Sequence, residues 1–137
     1  MIRQVYRLDR GTMLDCLYVA NQFIDAQNVI NWQSLEFTVQ AGHSIMFVDE
    51  SSNGFLKGFL VGNIQSKDAM LDALYVDRKF QRGGVGGALL GAYEDYVRKF
   101  GVKQIKLQSR PTKQAIEFYQ KHGFQKIGSE YRMQKSL

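Results

Sequence analysis

Leu74-Tyr75-Val76-Asp77-Arg78-Lys79-Phe80-Gln81-Arg82-Gly83-Gly84-Val85-Gly86-Gly87-Ala88-Leu89-Leu90 decides the fold of this chain. The stretch opens as a strand, because residues 70–76 are a run of apolar and β-forming side chains. It closes as a helix, because Val85, Ala88, Leu89, Ala92, Tyr96 and Phe100 recur at helical spacing. Between the two lie Gly83, Gly84, Gly86 and Gly87, four glycines in five positions. A strand that runs through glycines into a helix is a place to bind an anion. The first N–H groups of the helix have no partner inside it, and the helix dipole favours negative charge at that end. Glycine also lets a phosphate approach the backbone with no Cβ in the way.

Two familiar anion loops do not fit. In the dinucleotide pattern G-x-G-x-x-G, counted from Gly84, the third glycine falls on Leu89, and no Lys-Ser or Lys-Thr follows the glycines as a nucleotide phosphate loop requires. What remains is Gln81-x-x-Gly84-x-Gly86. This resembles the Q/R-x-x-G-x-G/A acyl-CoA motif of the GNAT superfamily of N-acetyltransferases. The likeness extends to Leu74-Tyr75-Val76-Asp77 before the motif and Ala88-Leu89-Leu90 after it. The resemblance implies acetyl-CoA as cosubstrate, held by Leu74, Tyr75, Val76, Gln81, Arg82, Gly83, Gly84, Val85, Gly86 and Gly87. Arg82 is the side chain to neutralise a phosphate, with Lys79 and Lys113 as more distant options. A glycine-rich turn that binds nothing is the bland alternative.

Outward from this centre, the chain reads as alternating strands and helices. Residues 2–8 alternate as a strand. Asp9 or Thr12 caps a helix whose apolar face is Met13, Leu14, Leu17, Tyr18, Phe23 and Ile24. Trp32, Leu35, Glu36 and Val39 mark a second helix, closed at Gly42. Strands follow at 45–48, 55–64 and 70–76, with turn-forming residues at 49–54 and 65–68. Beyond the long helix and Gly101 come a strand at 105–107, a short helix opened by Pro111 and Thr112, and strands at 124–127 and 131–133. The order β-α-α-β-β-β-α-β-α-β-β gives a mixed α/β domain with helices packed on a central sheet. It is similar to the GNAT fold across the chain, which implies helices on both faces and middle strands splayed beyond the glycine loop.

A second stretch carries the same likeness. Thr112-Lys113-Gln114-Ala115-Ile116-Glu117-Phe118-Tyr119-Gln120-Lys121-His122-Gly123-Phe124 resembles the family signature N-x-x-A-x-x-F-Y-x-x-x-G-F, with Thr112 in place of the asparagine. The resemblance places Thr112, Ala115 and Phe118 at the cofactor. It makes Tyr119 the general acid that protonates the departing thiolate, where the residue alone reads equally as a core aromatic. The attacking amine has to be neutral, and an alkyl amine of pKa ~10.4 is deprotonated only about once in a few thousand at pH 7. Asp72 is the candidate base. Strand alternation puts it on the face of Leu74 and Val76, although many family members carry their acid where this chain has Met70. Glu36 and Asp25 are weaker candidates for steering an amine. A backbone N–H near Tyr75 or Val76 is the implied oxyanion donor.

Composition bounds the rest. A chain of 137 residues is of single-domain size. Its 45% hydrophobic and 23% charged residues suit an ordinary globular protein. Cys16 is the one cysteine, so no intrachain disulfide forms, and it reads as a small buried hydrophobe. The net charge of +5 is scattered, without the basic runs of a nucleic-acid binder, and a CoA ligand accounts for it as well. His43 and His122 form no metal cluster with Cys16. No apolar run is long enough for a membrane span and no signal peptide is visible, so the cytoplasm is the expected location. The leading function is direct acetyl transfer from acetyl-CoA to a primary amine of a small molecule or a protein, by a monomer or homodimer. A non-catalytic acyl-CoA-binding regulatory module is the alternative.

Overall fold

The computed structural model describes residues 1–23, 30–128 and 131–137. The elements in chain order are β1 (Ile2–Val5), α1 (Arg10–Ala20), α2 (Trp32–Gln40), β2 (Ile45–Glu50), β3 (Leu56–Gln65) and β4 (Asp68–Val76), then α3 (Val85–Arg98), β5 (Gln104–Gln108), α4 (Lys113–Lys121), β6 (Gln125–Lys126) and β7 (Arg132–Ser136). This is the order expected from the sequence, with a single 3₁₀ turn at Arg78–Phe80 added between β4 and α3. The starts of three helices follow from side-chain caps worth about 1 kcal/mol each. Asp9 accepts from the Thr12 N–H at 2.7 Å, Asn31 from Ser34 at 3.1 Å and Thr112 from Ala115 at 3.2 Å.

The strands form one sheet in the order β1-β2-β3-β4-β5-β7-β6. Every neighbouring pair is antiparallel except β4 and β5, which run parallel because α3 carries the chain across between them. That parallel ladder is short. It joins Asp68, Ala69, Met70 and Leu71 to Gln104, Ile105, Lys106 and Leu107 and goes no further, although β4 continues to Val76. The two middle strands therefore part, and among the described residues no strand lies beside the β5-facing edge of β4 beyond Leu71.

One core lies on each face. Cys16, Val19, Ala20, Phe23, Leu35 and Val39 of the α1–α2 layer pack on Phe59, Val61, Ala73 and Tyr75. On the other face Val85, Leu89, Tyr93 and Val97 of α3 pack on Leu60, Leu71, Ile105 and Met133. The sequence pattern misplaced parts of these faces. Leu14 and Tyr18 are 52% and 61% exposed, and α1 turns Thr12, Cys16, Val19 and Ala20 inward instead. On α3 the buried stripe runs through Tyr93, Glu94 and Val97, leaving Phe100 at the surface. Glu94 is tolerated there because Lys135 of β7 reaches it at 2.8 Å. Phe37 is exposed, whereas Trp32 packs on Phe59. Ile24 and Asp25 lie outside the described residues.

A β-bulge decides which way β4 faces. Val61 pairs with Ala73 but its neighbour Gly62 pairs with Leu71, so Asp72 is the extra residue. Ala69 and Leu71 belong to the α3 core, yet Ala73 and Tyr75 belong to the α1–α2 core. Simple alternation would have kept all four on one face. The bulge also corrects the placement of Asp72. Its carboxylate is bound by Asn63, which shares the α1–α2 face with Val61 two residues before it. Asp72 thus lies opposite Leu74 and Val76, not beside them.

Candidate active site

The parting of β4 and β5 opens a cleft of about 980 Å³. One wall is β4 from Met70 to Val76, the other is the end of β5 with α4, and the loop into α3 closes one end. Leu74, Tyr75 and Val76 line it, as do Gln81, Arg82, Gly84, Val85, Gly86 and Gly87. Thr112, Ala115, Phe118 and Tyr119 line it from α4. Of the cofactor contacts expected from the sequence, Gly83 is not part of the wall, and neither are the more distant Lys79 and Lys113.

The glycines divide by task. Gly84 has φ +83° and is the N-cap of α3, so it supplies the left-handed turn from which the helix starts. It gives no side-chain cap, and the first N–H groups of α3 are left for a ligand or water. Gly86 and Gly87 are needed by α4. A Cβ on Gly86 would stand 3.1 Å from the Phe118 ring, and one on Gly87 would stand 2.7 Å from His122 Nε2. Their smallness lets α4 lie against the start of α3. Gln81 is tied inward too, its amide donating to the Val76 carbonyl at 3.3 Å.

Tyr119 stands on α4 with its ring edge-on to Phe118 at 5.2 Å and to Phe124 at 5.6 Å. Burial pushes its hydroxyl well above the ordinary phenol range. The Tyr75 hydroxyl adds to that shift, and the Arg110 cation opposes it. Tyr119 therefore keeps its proton at any physiological pH. Asp72 is, among the described residues, the only carboxylate lining the cleft. Desolvation raises its carboxyl above the usual value, and the Asn63 amide, donating to Oδ2 at 2.8 Å, pulls it part of the way back. A carboxylate raised in this way is a better proton acceptor than an ordinary aspartate. Glu36 is an exposed residue of α2 and does not line the cleft.

Sequence reasoning missed several wall residues. Phe23, at the end of α1, carries the Arg110 guanidinium 4.9 Å from its ring centre and that of Arg78 at 5.5 Å. The Arg78 N–H also donates to Gln22 at 2.9 Å, which ties the loop after β4 to α1. With Arg82 and Lys121 these cations make the wall electropositive, as an anionic ligand requires. From the sequence, His122 has no role beyond its absence from a metal cluster. It is the C-cap of α4, but it also lines the cleft, stacked on Phe118 at 4.4 Å with Nδ1 2.8 Å from the Phe118 carbonyl. Its signal was available, since His122 follows Phe118 by one helical turn.

Comparison with known proteins converges on one family. The family described as acetyltransferase (GNAT) domain matches residues 12–136. The ribosomal protein bS18-alanine N-acetyltransferase of Escherichia coli K12 is 30% identical over 94 residues, covering 68% of this chain. The match spans 64% of that relative's own length. Among solved structures, the PaiA N-acetyltransferase of Thermoplasma acidophilum in complex with coenzyme A superposes with a TM-score of 0.75 at 19% identity, covering 100% of this chain and 99% of that one. An aminoglycoside 6'-N-acetyltransferase complexed with coenzyme A gives a TM-score of 0.82 at 15% identity, covering 99% and 96%.

Proposed function

The chain belongs to the GNAT acetyltransferase family, and from that premise we propose that it transfers an acetyl group from acetyl-CoA to a primary amine by direct attack on the thioester. The observation that carries this reading is the cleft between the parted strands. It joins the open N-terminus of α3 at one end to Tyr119 and Asp72 on its walls. Both relatives crystallised with coenzyme A share the fold across nearly the whole chain.

The residues divide the work as follows. The N–H groups after Gly84, with Arg82 beside them, take the phosphates of the cosubstrate. The β5-facing edge of β4 offers backbone N–H groups to the acyl end and to the oxyanion that forms there. Acetyl-CoA supplies the activated acyl carbon and a thiolate leaving group. Asp72 accepts the proton of the incoming ammonium, directly or through water, so that the nitrogen lone pair is free to attack. As the carbon–sulfur bond breaks, the Tyr119 hydroxyl protonates the sulfur, and the second proton that the nitrogen sheds on becoming an amide returns to the tyrosinate through water, so that one proton, held on Asp72, is released to solvent per turnover. No cysteine or serine nucleophile is required, and Cys16 is fully buried away from the cleft.

The first test is thermal unfolding with acetyl-CoA, using ATP and NAD as controls. A ligand at a hundred times its dissociation constant adds about 2.7 kcal/mol of stability. A shift specific to acetyl-CoA is expected. It is followed by CoA-thiol release with a peptide beginning in alanine, spermidine and an aminoglycoside as acceptors. The absence of any shift at millimolar acetyl-CoA would overturn the reading.

A further inference from the structure

The bulge in β4 is held from both faces of the sheet. On the α3 face Tyr93 is completely buried, and its hydroxyl lies 2.5 Å from the Met70 carbonyl oxygen and 3.3 Å from that of Asn63. A phenol has one proton, so the shorter contact is the hydrogen bond it donates. Gly62 makes the room for it. A Cβ at Gly62 would overlap the Tyr93 hydroxyl and stand 2.5 Å from the Met70 carbonyl oxygen. On the other face the Asn63 amide holds Asp72, and Gln65 donates to the oxygen of that same amide at 3.1 Å, which fixes the way the amide points. The backbone two residues before the bulge is thus held from one face, and the extra residue itself is held by its side chain from the other.

Packing alone does not account for a tyrosine here. A phenylalanine would fill the same space without burying a hydroxyl, which is costly unless bonded. The hydroxyl does one thing a phenyl ring cannot: it takes hold of the backbone just before Asp72. Tyr93 is not part of the cleft wall, so any effect on chemistry passes through β4. We propose that Tyr93 is a positioning residue, whose hydroxyl, admitted by Gly62, fixes the β4 bulge and so sets where Asp72 and the free edge of β4 stand in the cleft. The kinetic arm of the test rests on the acetyl-transfer reading.

The test compares Tyr93→Phe with Val97→Ala, a buried position one turn further along the same helix. Tyr93→Phe is expected to lower kcat by about ten- to a hundredfold, the scale of a displacement near 1 Å at a reacting centre. Its KM for acetyl-CoA stays within about twofold, because the phosphate-binding loop lies beyond the bulge. Val97→Ala loses stability but keeps kcat. Backbone amide exchange needs no acceptor. It should speed up selectively at residues 71–74 in Tyr93→Phe and only in step with the whole protein in Val97→Ala. Gly62→Ala should behave as Tyr93→Phe does, and the double variant should be no slower than the worse single one. If Gly62→Ala does not fold, Tyr93→Phe, which keeps the ring, carries the test. A Tyr93→Phe protein with wild-type kcat and unchanged exchange at 71–74 would overturn the proposal. If the wild type acetylates none of the amines, the transfer reading fails, and the exchange arm still decides the role of Tyr93.

Discussion

Gly87 and Gly91 stand one turn apart on α3, and replacing each by alanine should have opposite effects. At Gly91 an added Cβ meets nothing within 4 Å. The substitution there is a gain in helix propensity, about 0.5–1 kcal/mol. At Gly87 the same gain is available, but the Cβ would stand 2.7 Å from His122 Nε2. The His122 ring has little freedom to give way. Its Nδ1 lies 2.8 Å from the Phe118 carbonyl and its face lies 4.4 Å from the Phe118 ring. Swinging it out forfeits a hydrogen bond of about 1 kcal/mol and a ring contact of about 0.5–1 kcal/mol. With the strain of the displaced helix end, Gly87→Ala is expected to lose about 1 kcal/mol net. The two variants then differ by about 2 kcal/mol. At ~2.1 cal/mol/K per residue for 137 residues, that is roughly 7 °C in Tm. Thermal unfolding of the pair reads it directly. His122→Ala should rescue Gly87→Ala, because the new methyl group then has room. If that rescued double variant also keeps its acetyl-CoA-dependent Tm shift, Gly87 is glycine for the sake of α4 and not of the phosphate. A Gly87→Ala protein as stable as Gly91→Ala would refute the packing argument.

Tyr119→Phe should lower kcat on the order of a hundredfold or more with little change in KM for acetyl-CoA; unaltered turnover would remove Tyr119 as the acid. Because burial raises the Tyr119 hydroxyl, the wild-type rate should show no loss from its ionisation as pH rises past 10. Asp72 acts as a base only when ionised, and its carboxyl is raised, so the acid limb of kcat/KM should fall above the usual carboxylate range. Asn63→Ala removes the hydrogen bond that lowers it and should move that limb to still higher pH, while Asp72→Asn should abolish the limb; a pH profile indifferent to both would exclude Asp72. The sign for stability is the reverse of a salt-bridged aspartate. Since folding raises the Asp72 carboxyl, Asp72→Asn should raise Tm at neutral pH, and the gain should vanish as pH falls through the folded-state pKa. Cys16 is buried and its thiol is pushed well above the ordinary range, so a disulfide reagent should modify the native protein only as fast as it unfolds. Modification of the native protein within seconds would contradict that burial.

Much of this was legible in the sequence because it is local. The Asp9 and Thr112 caps, the glycine that ends α2, and the glycine turn into α3 act through near neighbours in the chain. The order of elements followed, and most of the residues named between 74 and 87 and between 112 and 119 line the cleft. What failed is what depends on contacts between distant segments. The bulge at Asp72 exists because β3 offers Gly62 opposite it, and no periodicity within β4 announces that. The alternation rule therefore put Asp72 on the wrong face. The α3 stripe was rotated because a tyrosine and a glutamate, Tyr93 and Glu94, enter it, and they can do so only where a backbone carbonyl and Lys135 from distant strands satisfy them. Phe23 and the two arginines on its ring come from three separate segments of the chain, so their meeting was invisible.

The cleft follows from the pairing of strands more than from its lining. β4 beyond Leu71 stays with β3, to which it is paired as far as Val76 and Gly58. β5 stays with β7, paired from Gln104 to Gln108. Each strand thus has its full antiparallel neighbour on one side and shares only four residue pairs with the other. The bulge then turns Ala73 and Tyr75 toward the α1–α2 core, away from the α3 face that Leu71 shares with Leu107. The gap falls between two strands that are each already anchored on their other side. It is also where the Asp72 carboxylate and the Tyr119 phenol line the opening, so the two residues proposed above as proton acceptor and donor stand on the walls of one cleft.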